Sequence, residues 1–136
     1  MRLPDVNVLT CAFRDAAPDH PSYRSWLEDA LDAGEPLGIA EVVLASFVRV
    51  ATHPRVFDPP ASTADALAFA RALREAPNAV RVAPGPRHWE LFERLCFDGA
   101  ARGSLIADAY LAALAVESGC ELITTDRDFA RFPGLR

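Results

Sequence analysis

Brief apolar runs alternate with amphipathic helical patterns along the whole chain. The pattern predicts strands at Arg2–Val6, Leu37–Ile39, Val80–Val82 and Glu121–Thr124. Helices are expected at Val8–Phe13, from Pro21 to a stop at Gly34, and over Glu41–Val50. Three more are expected: one capped by Ser62 and running to Glu75, one over Pro86–Phe97, and one capped by Ser104 and ended by Gly119. Neighbouring parallel strands need a crossover connection, usually a helix, so the alternation implies an α/β fold. We therefore expect a short parallel central sheet of about four or five strands flanked by helices. With 136 residues and no linker or repeat, residues 1–136 read as a single domain.

Composition excludes several classes of function. Hydrophobic residues make up 51% and charged residues 24%, which removes disordered and fibrous chains. No apolar run approaches the roughly 20 residues of a membrane span, and no secretory signal is legible at the N-terminus. The formal charge is −5, unlike the basic surface of a non-specific nucleic-acid binder. All 14 cationic side chains are arginine. Cys11, Cys96 and Cys120 form neither a close pair nor a zinc-type cluster, so the expected setting is reduced and cytoplasmic. A mean hydropathy of +0.07 is high for a small soluble monomer and suggests a face covered by a partner.

In parallel sheets, ligands bind at the carboxyl ends of the strands. Asp5 and Asp126 stand directly after two predicted strands, and Glu41 follows a third. Asp108 is the only charge between Ser104 and Val116, and it shares a helix face with Leu111, Ala112 and Ala115. Each acid also has a structural explanation. Asp108 and Glu41 suit a helix N-terminus, Asp5 could cap the first helix, and Asp126 with Asp128 could form an Asx turn. These explanations leave open why the acids gather at one sheet edge. Two carboxylates about 4 Å apart repel by roughly 4 kcal/mol at an effective dielectric of about 20. A converging set therefore calls for a cation, and oxygen-only donors suit Mg²⁺ or Mn²⁺ better than zinc. His20, His53 and His88 lie away from the acids in sequence.

Leu3-Pro4-Asp5-Val6-Asn7-Val8-Leu9, Ala107-Asp108-Ala109-Tyr110-Leu111 and Ile123-Thr124-Thr125-Asp126-Arg127-Asp128-Phe129 resemble three signatures of the PIN-domain family, in family order. The likeness is to its VapC-type toxin ribonucleases of bacterial toxin–antitoxin pairs. Phe47 to Phe57 resembles a segment of one mycobacterial-type VapC subgroup. The resemblance implies a Mg²⁺- or Mn²⁺-dependent endoribonuclease that forms a homodimer and a hetero-oligomer with a VapB-type antitoxin. It implies Asp5, Asp108 and Asp126 as metal ligands and catalytic acids, with Asn7, Thr124 and Asp128 in support.

The family's second acid usually falls near Ser46, whereas this chain offers Glu41, five residues earlier. Five residues turn a helix by about 140°, so Glu41 reaches such a site only from the helix start. Glu41 is kept as a fourth catalytic candidate, and Arg49, His53 and Arg55 are candidates for holding RNA. Two alternatives remain. A Mg²⁺-dependent phosphatase would want a lysine, which the chain lacks. A non-catalytic PIN-like binding module would explain Ser46 as a degraded site.

Overall fold

The computed structural model describes residues 1–17 and 19–136; of the expected loop through Asp15, Pro18 and His20, Pro18 lies outside the described residues. The elements are β1 (Arg2–Pro4), α1 (Val6–Phe13), α2 (His20–Asp32), β2 (Leu37–Ala40), α3 (Glu41–Ala51) and α4 (Thr63–Arg74). They continue with β3 (Ala79–Val82), α5 (His88–Asp98), α6 (Leu105–Ser118), β4 (Glu121–Ile123) and a 3₁₀ turn at Arg127–Arg131. All pairings are parallel, in the order β3-β2-β1-β4. The expected α/β architecture is present with four strands.

Local chemistry explains where the boundaries moved. The first helix starts at Val6, two residues before the expected Val8, because the Asp5 carboxylate accepts the Val6 amide and caps it. Ser62 caps α4 through the Asp65 amide, as expected. Ser104 does not cap α6: its φ of −61° and ψ of −30° are already helical, and its hydroxyl makes no capping bond. Gly119 ends α6 at φ 65°, the left-handed conformation that favours glycine. The fifth helix begins at His88 rather than Pro86, where Gly85 and Arg87 give their amides to Glu117 of α6.

The core is continuous around the sheet. Leu3, Leu37 and Ile39 from the strands and Ala109, Leu111, Ala112 and Ala115 of α6 belong to one buried cluster. On the other side Phe13, Phe47 and Phe69 pack ring against ring, with centroids 5.0–5.3 Å apart. Phe13 and Phe47 stand at nearly equal distances from the starts of α1 and α3, so these helices leave neighbouring strand ends side by side. Glu41 at the start of α3 meets Arg74 at the end of α4, so α3 and α4 form an antiparallel hairpin. No described helix is long and apolar enough to cross a membrane. All three cysteines are free.

Candidate active site

The carboxyl edge of the sheet is organised by one chain of hydrogen bonds. Asp5 follows β1 and is only 6% exposed. Its Oδ1 accepts the Val6 amide at 2.6 Å, and its Oδ2 accepts the Thr124 hydroxyl at 2.8 Å. The same hydroxyl oxygen accepts the Asp126 amide at 3.0 Å. Asp126 Oδ1 then accepts the Asp128 amide at 2.8 Å. Asp128 in turn receives Arg131 Nη2 at 3.0 Å, while Arg131 Nη1 donates to the Gly99 carbonyl at 3.2 Å. The chain ties β1, the turn after β4 and the α5–α6 connection into one rigid edge. Gly99 has no room for a side chain there, since a Cβ would lie 2.8 Å from the Phe132 ring.

Asp108 completes the cluster from the first turn of α6, where it is half-buried. Burial pushes its carboxyl above the usual carboxylate range, and the charges of Asp126, Asp5 and Asp128 push it further, while Arg131 eases it. Burial also raises Asp5. The Thr124 and Val6 bonds oppose that shift, and Asp126 adds to it. Aspartates from three distant stretches of the sequence thus come within electrostatic reach of Asp108 or Asp5.

The structural and functional explanations of these acids turn out to coincide. Asp5 is a helix cap and Asp126 does make an Asx turn, and both acids lie near enough to Asp108 to raise its carboxyl. Thr124 links them directly. Arg131 is a member that sequence reasoning missed; its signal is the i, i+3 spacing from Asp128.

Other candidates lie elsewhere. Asn7 is exposed in the first turn of α1, with no side-chain hydrogen bond among the described residues. Glu41 sits at the end of β2 but turns from the aspartates to Arg74 at 3.2 Å and Arg81 at 3.5 Å. Its charge is not among those that shift Asp5 or Asp108. Ser46 is half-buried on α3. Arg49, His53 and Arg55 are exposed toward the far end of α3, with Arg49 about 12 Å along the helix from Glu41. The His53 ring accepts the Arg55 amide in a local turn.

Among the described residues no three acidic, histidine or cysteine side chains stand close enough to enclose one ion. The donor set nevertheless suits a hard divalent cation. It is all oxygen, two of its carboxyls are strained toward protonation, and Mg²⁺ typically takes one or two carboxylates and completes its shell with water.

The molecule is thus an α/β protein whose sheet edge gathers aspartates from the end of β1, the first turn of α6 and the turn after β4. The chain belongs to the PIN domain family, whose model matches residues 2–135. It is similar to ribonuclease VapC25 of Mycobacterium tuberculosis, at 44% identity over 136 residues, spanning 100% of this chain and 96% of that protein. It is 48% identical over 132 residues to ribonuclease VapC43 of the same species, covering 97% and 90% of the two chains. Its fold is that of VapBC2 from Rickettsia felis, solved bound to a promoter DNA fragment, with a TM-score of 0.69 at 17% identity over 98% and 94% of the two chains. It is also that of Mycobacterium tuberculosis VapC20, a sarcin-ricin loop cleaving toxin, with a TM-score of 0.66 at 17% identity over 100% and 99%.

Proposed function

We propose that this chain is a VapC-type toxin: a divalent-cation-dependent endoribonuclease restrained by a VapB-type antitoxin. The observation that carries the reading is the hydrogen-bonded chain that joins Asp5, Thr124, Asp126 and Asp128 along one sheet edge, with the Asp108 carboxyl within reach of their charges. Kinship with proteins named VapC ribonucleases over nearly the whole chain supports the reaction class. A neighbour in fold that was solved as a VapBC complex supports the antitoxin. Free cysteines suit a cytoplasmic setting. Phe97 at 84% and Trp89 at 63% exposure offer apolar surface for a homodimer or antitoxin contact.

Asp5, Asp108 and Asp126 are the residues that would hold Mg²⁺ or Mn²⁺. A bound cation supplies a more acidic water and a positive charge for phosphate oxygens. Val6 and Thr124 fix both oxygens of Asp5, so its remaining lone pairs point in set directions. Asp108 and Asp126 face it and supply the negative potential that draws a cation in. Thr124, by joining Asp5 to the backbone of Asp126, holds their separation. Arg131 offsets part of the repulsion and anchors Asp128. Glu41, held by Arg74 and Arg81, stands outside this machinery. With water as nucleophile, the products carry a 5′-phosphate and a 3′-hydroxyl.

The test is cleavage of a mixed pool of transfer, ribosomal and synthetic RNA by antitoxin-free protein, with Mg²⁺ or EDTA, beside Asp108→Asn. Cuts that need Mg²⁺, leave 5′-phosphates and vanish in the variant are expected. Equal cutting by the variant refutes the site. Cation binding by folded protein without cleavage of any RNA in the pool favours the non-catalytic module.

A further inference from the structure

A cleft of about 450 Å³ opens between α3 and α4. Leu44, Val48 and Leu67 contribute its apolar floor, and Glu41, Arg71 and Arg74 its polar rim. A smaller hollow of about 100 Å³ carries the same rim on to Arg81 of β3. Two guanidinium groups, those of Arg74 and Arg81, thus pair with one carboxylate, and Arg71 lines the same cleft. Among the described residues, no other acid pairs with any of the three. The Arg74 and Arg81 side chains are 58% and 72% exposed, so their bonds to Glu41 are of the weak, solvent-screened kind that another anion can replace.

The mouth of the cleft is close to the aspartates. Arg2 of β1 pairs with Leu37 of β2, which sets Asp5 level with Ala40, the residue before Glu41. Neighbouring strands run about 4.8 Å apart, so Glu41 follows the strand next to that of Asp5, and Arg81 on β3 lies two strands, roughly 10 Å, from it. A phosphodiester offers two oxygens to a planar guanidinium fork, and a polyanion offers such groups in series. A nucleobase presents a flat apolar face of the kind that the floor accepts.

We propose that the α3–α4 cleft is an RNA subsite. Arg71, Arg74 and Arg81 take backbone phosphates, the apolar floor takes a base, and Glu41 orients the arginines until phosphate displaces it. The inference rests on the nuclease reading and names part of its substrate path. It also gives Glu41 a role other than catalytic acid.

The experiment measures binding of a short fluorescein-labelled single-stranded RNA by anisotropy in EDTA, across a salt series, with melting curves to confirm folding. In Arg74→Ala/Arg81→Ala, affinity falls, and the slope of log K against log salt flattens by about 0.7 for each phosphate that the variant no longer neutralises. Glu41→Gln moves the other way: it binds RNA several-fold tighter and lowers KM. Unchanged affinity and slope in the double variant overturn the proposal while leaving the nuclease reading intact. So does a Glu41→Gln variant that loses kcat with no change in binding, which would return Glu41 to the acid cluster. Loss of antitoxin binding alone in the arginine variant assigns the cleft to a polypeptide and also overturns it. A wild-type protein that neither binds nor cuts RNA overturns both readings, whereas one that cuts RNA while its affinity is indifferent to Arg74 and Arg81 overturns this one alone.

Discussion

Replacing Asp108 by Asn should stabilise the cation-free protein while abolishing its activity. Asp108 faces three carboxylates and one guanidinium, a net of two repulsions. It is half-buried, so each is counted at the scale of exposed pairs, roughly 0.2–1 kcal/mol, giving about 1 kcal/mol in total. In a domain of this length that is a rise in melting temperature of about 3–5 °C. The pH dependence follows from the direction of the shift. The folded carboxyl binds its proton more readily than the unfolded one, so wild-type stability rises as pH falls through the folded value. The gap between variant and wild type is therefore full at neutral pH and closes toward acid. Added cation reverses the order. A ligand at about 100 times its Kd stabilises the folded state by about 2.7 kcal/mol, more than the repulsion removed, and the variant loses that gain. Scanning calorimetry at neutral and mildly acid pH, with EDTA or Mn²⁺, reads all three effects. A variant that melts at or below wild type in EDTA, or a gap that is the same at both pH values, refutes the electrostatic reasoning.

Thr124→Val removes the donor to Asp5 and the acceptor for Asp126. It should cost about 1–3 kcal/mol. Because the lost bond favoured the charged form of Asp5, the acid limb of the pH–rate profile should move to higher pH, whereas Thr124→Ser should keep it in place. Phe47→Ala removes a fully buried ring between Phe13 and Phe69, and urea titration should show a loss of about 3–5 kcal/mol. Ser62→Ala should cost about 1 kcal/mol in the same assay, through its lost cap on the Asp65 amide. Ser104→Ala should stay within about 0.5 kcal/mol, because that hydroxyl caps nothing.

The alternation of short apolar runs with helical patterns located the four strands and six α-helices of the described residues, although β2 and α6 are buried on more than one face. The boundaries moved where a side chain competed for a backbone amide, as Asp5 does for Val6 and Glu117 for Gly85 and Arg87. Asp5 and Asp126 were legible through the carboxyl-edge rule, Asp108 as the lone charge on an apolar helix, and Asp128 only through the motif it resembles. Glu41 obeyed the same rule of position. Its direction was set by Arg74 and Arg81, 33 and 40 positions away, and no local pattern carries that information. Arg49, His53 and Arg55 were read as a rim from sequence order alone. The α3 axis carries them past the strand ends, while Arg71, Arg74 and Arg81 arrive at the sheet edge from α4 and β3.

The site also shows why a cap and a candidate ligand can be the same side chain. A carboxylate that caps a helix must end its strand pointing toward the next amide, and in a parallel sheet that places it at the edge where substrates arrive. The Asp5 bonds to Val6 and Thr124 therefore serve folding and also limit how far burial raises its carboxyl. Among the described residues Asp108 has no such partners, and its carboxyl is raised by burial and by the charges of Asp126, Asp5 and Asp128, with Arg131 in compensation. The strain is thus concentrated at the residue the fold can lose most cheaply. Selection for stability alone would weigh that repulsion against the benefit of an acid in the first turn of α6, and the proposed nuclease reading adds the cation that Asp108 would hold.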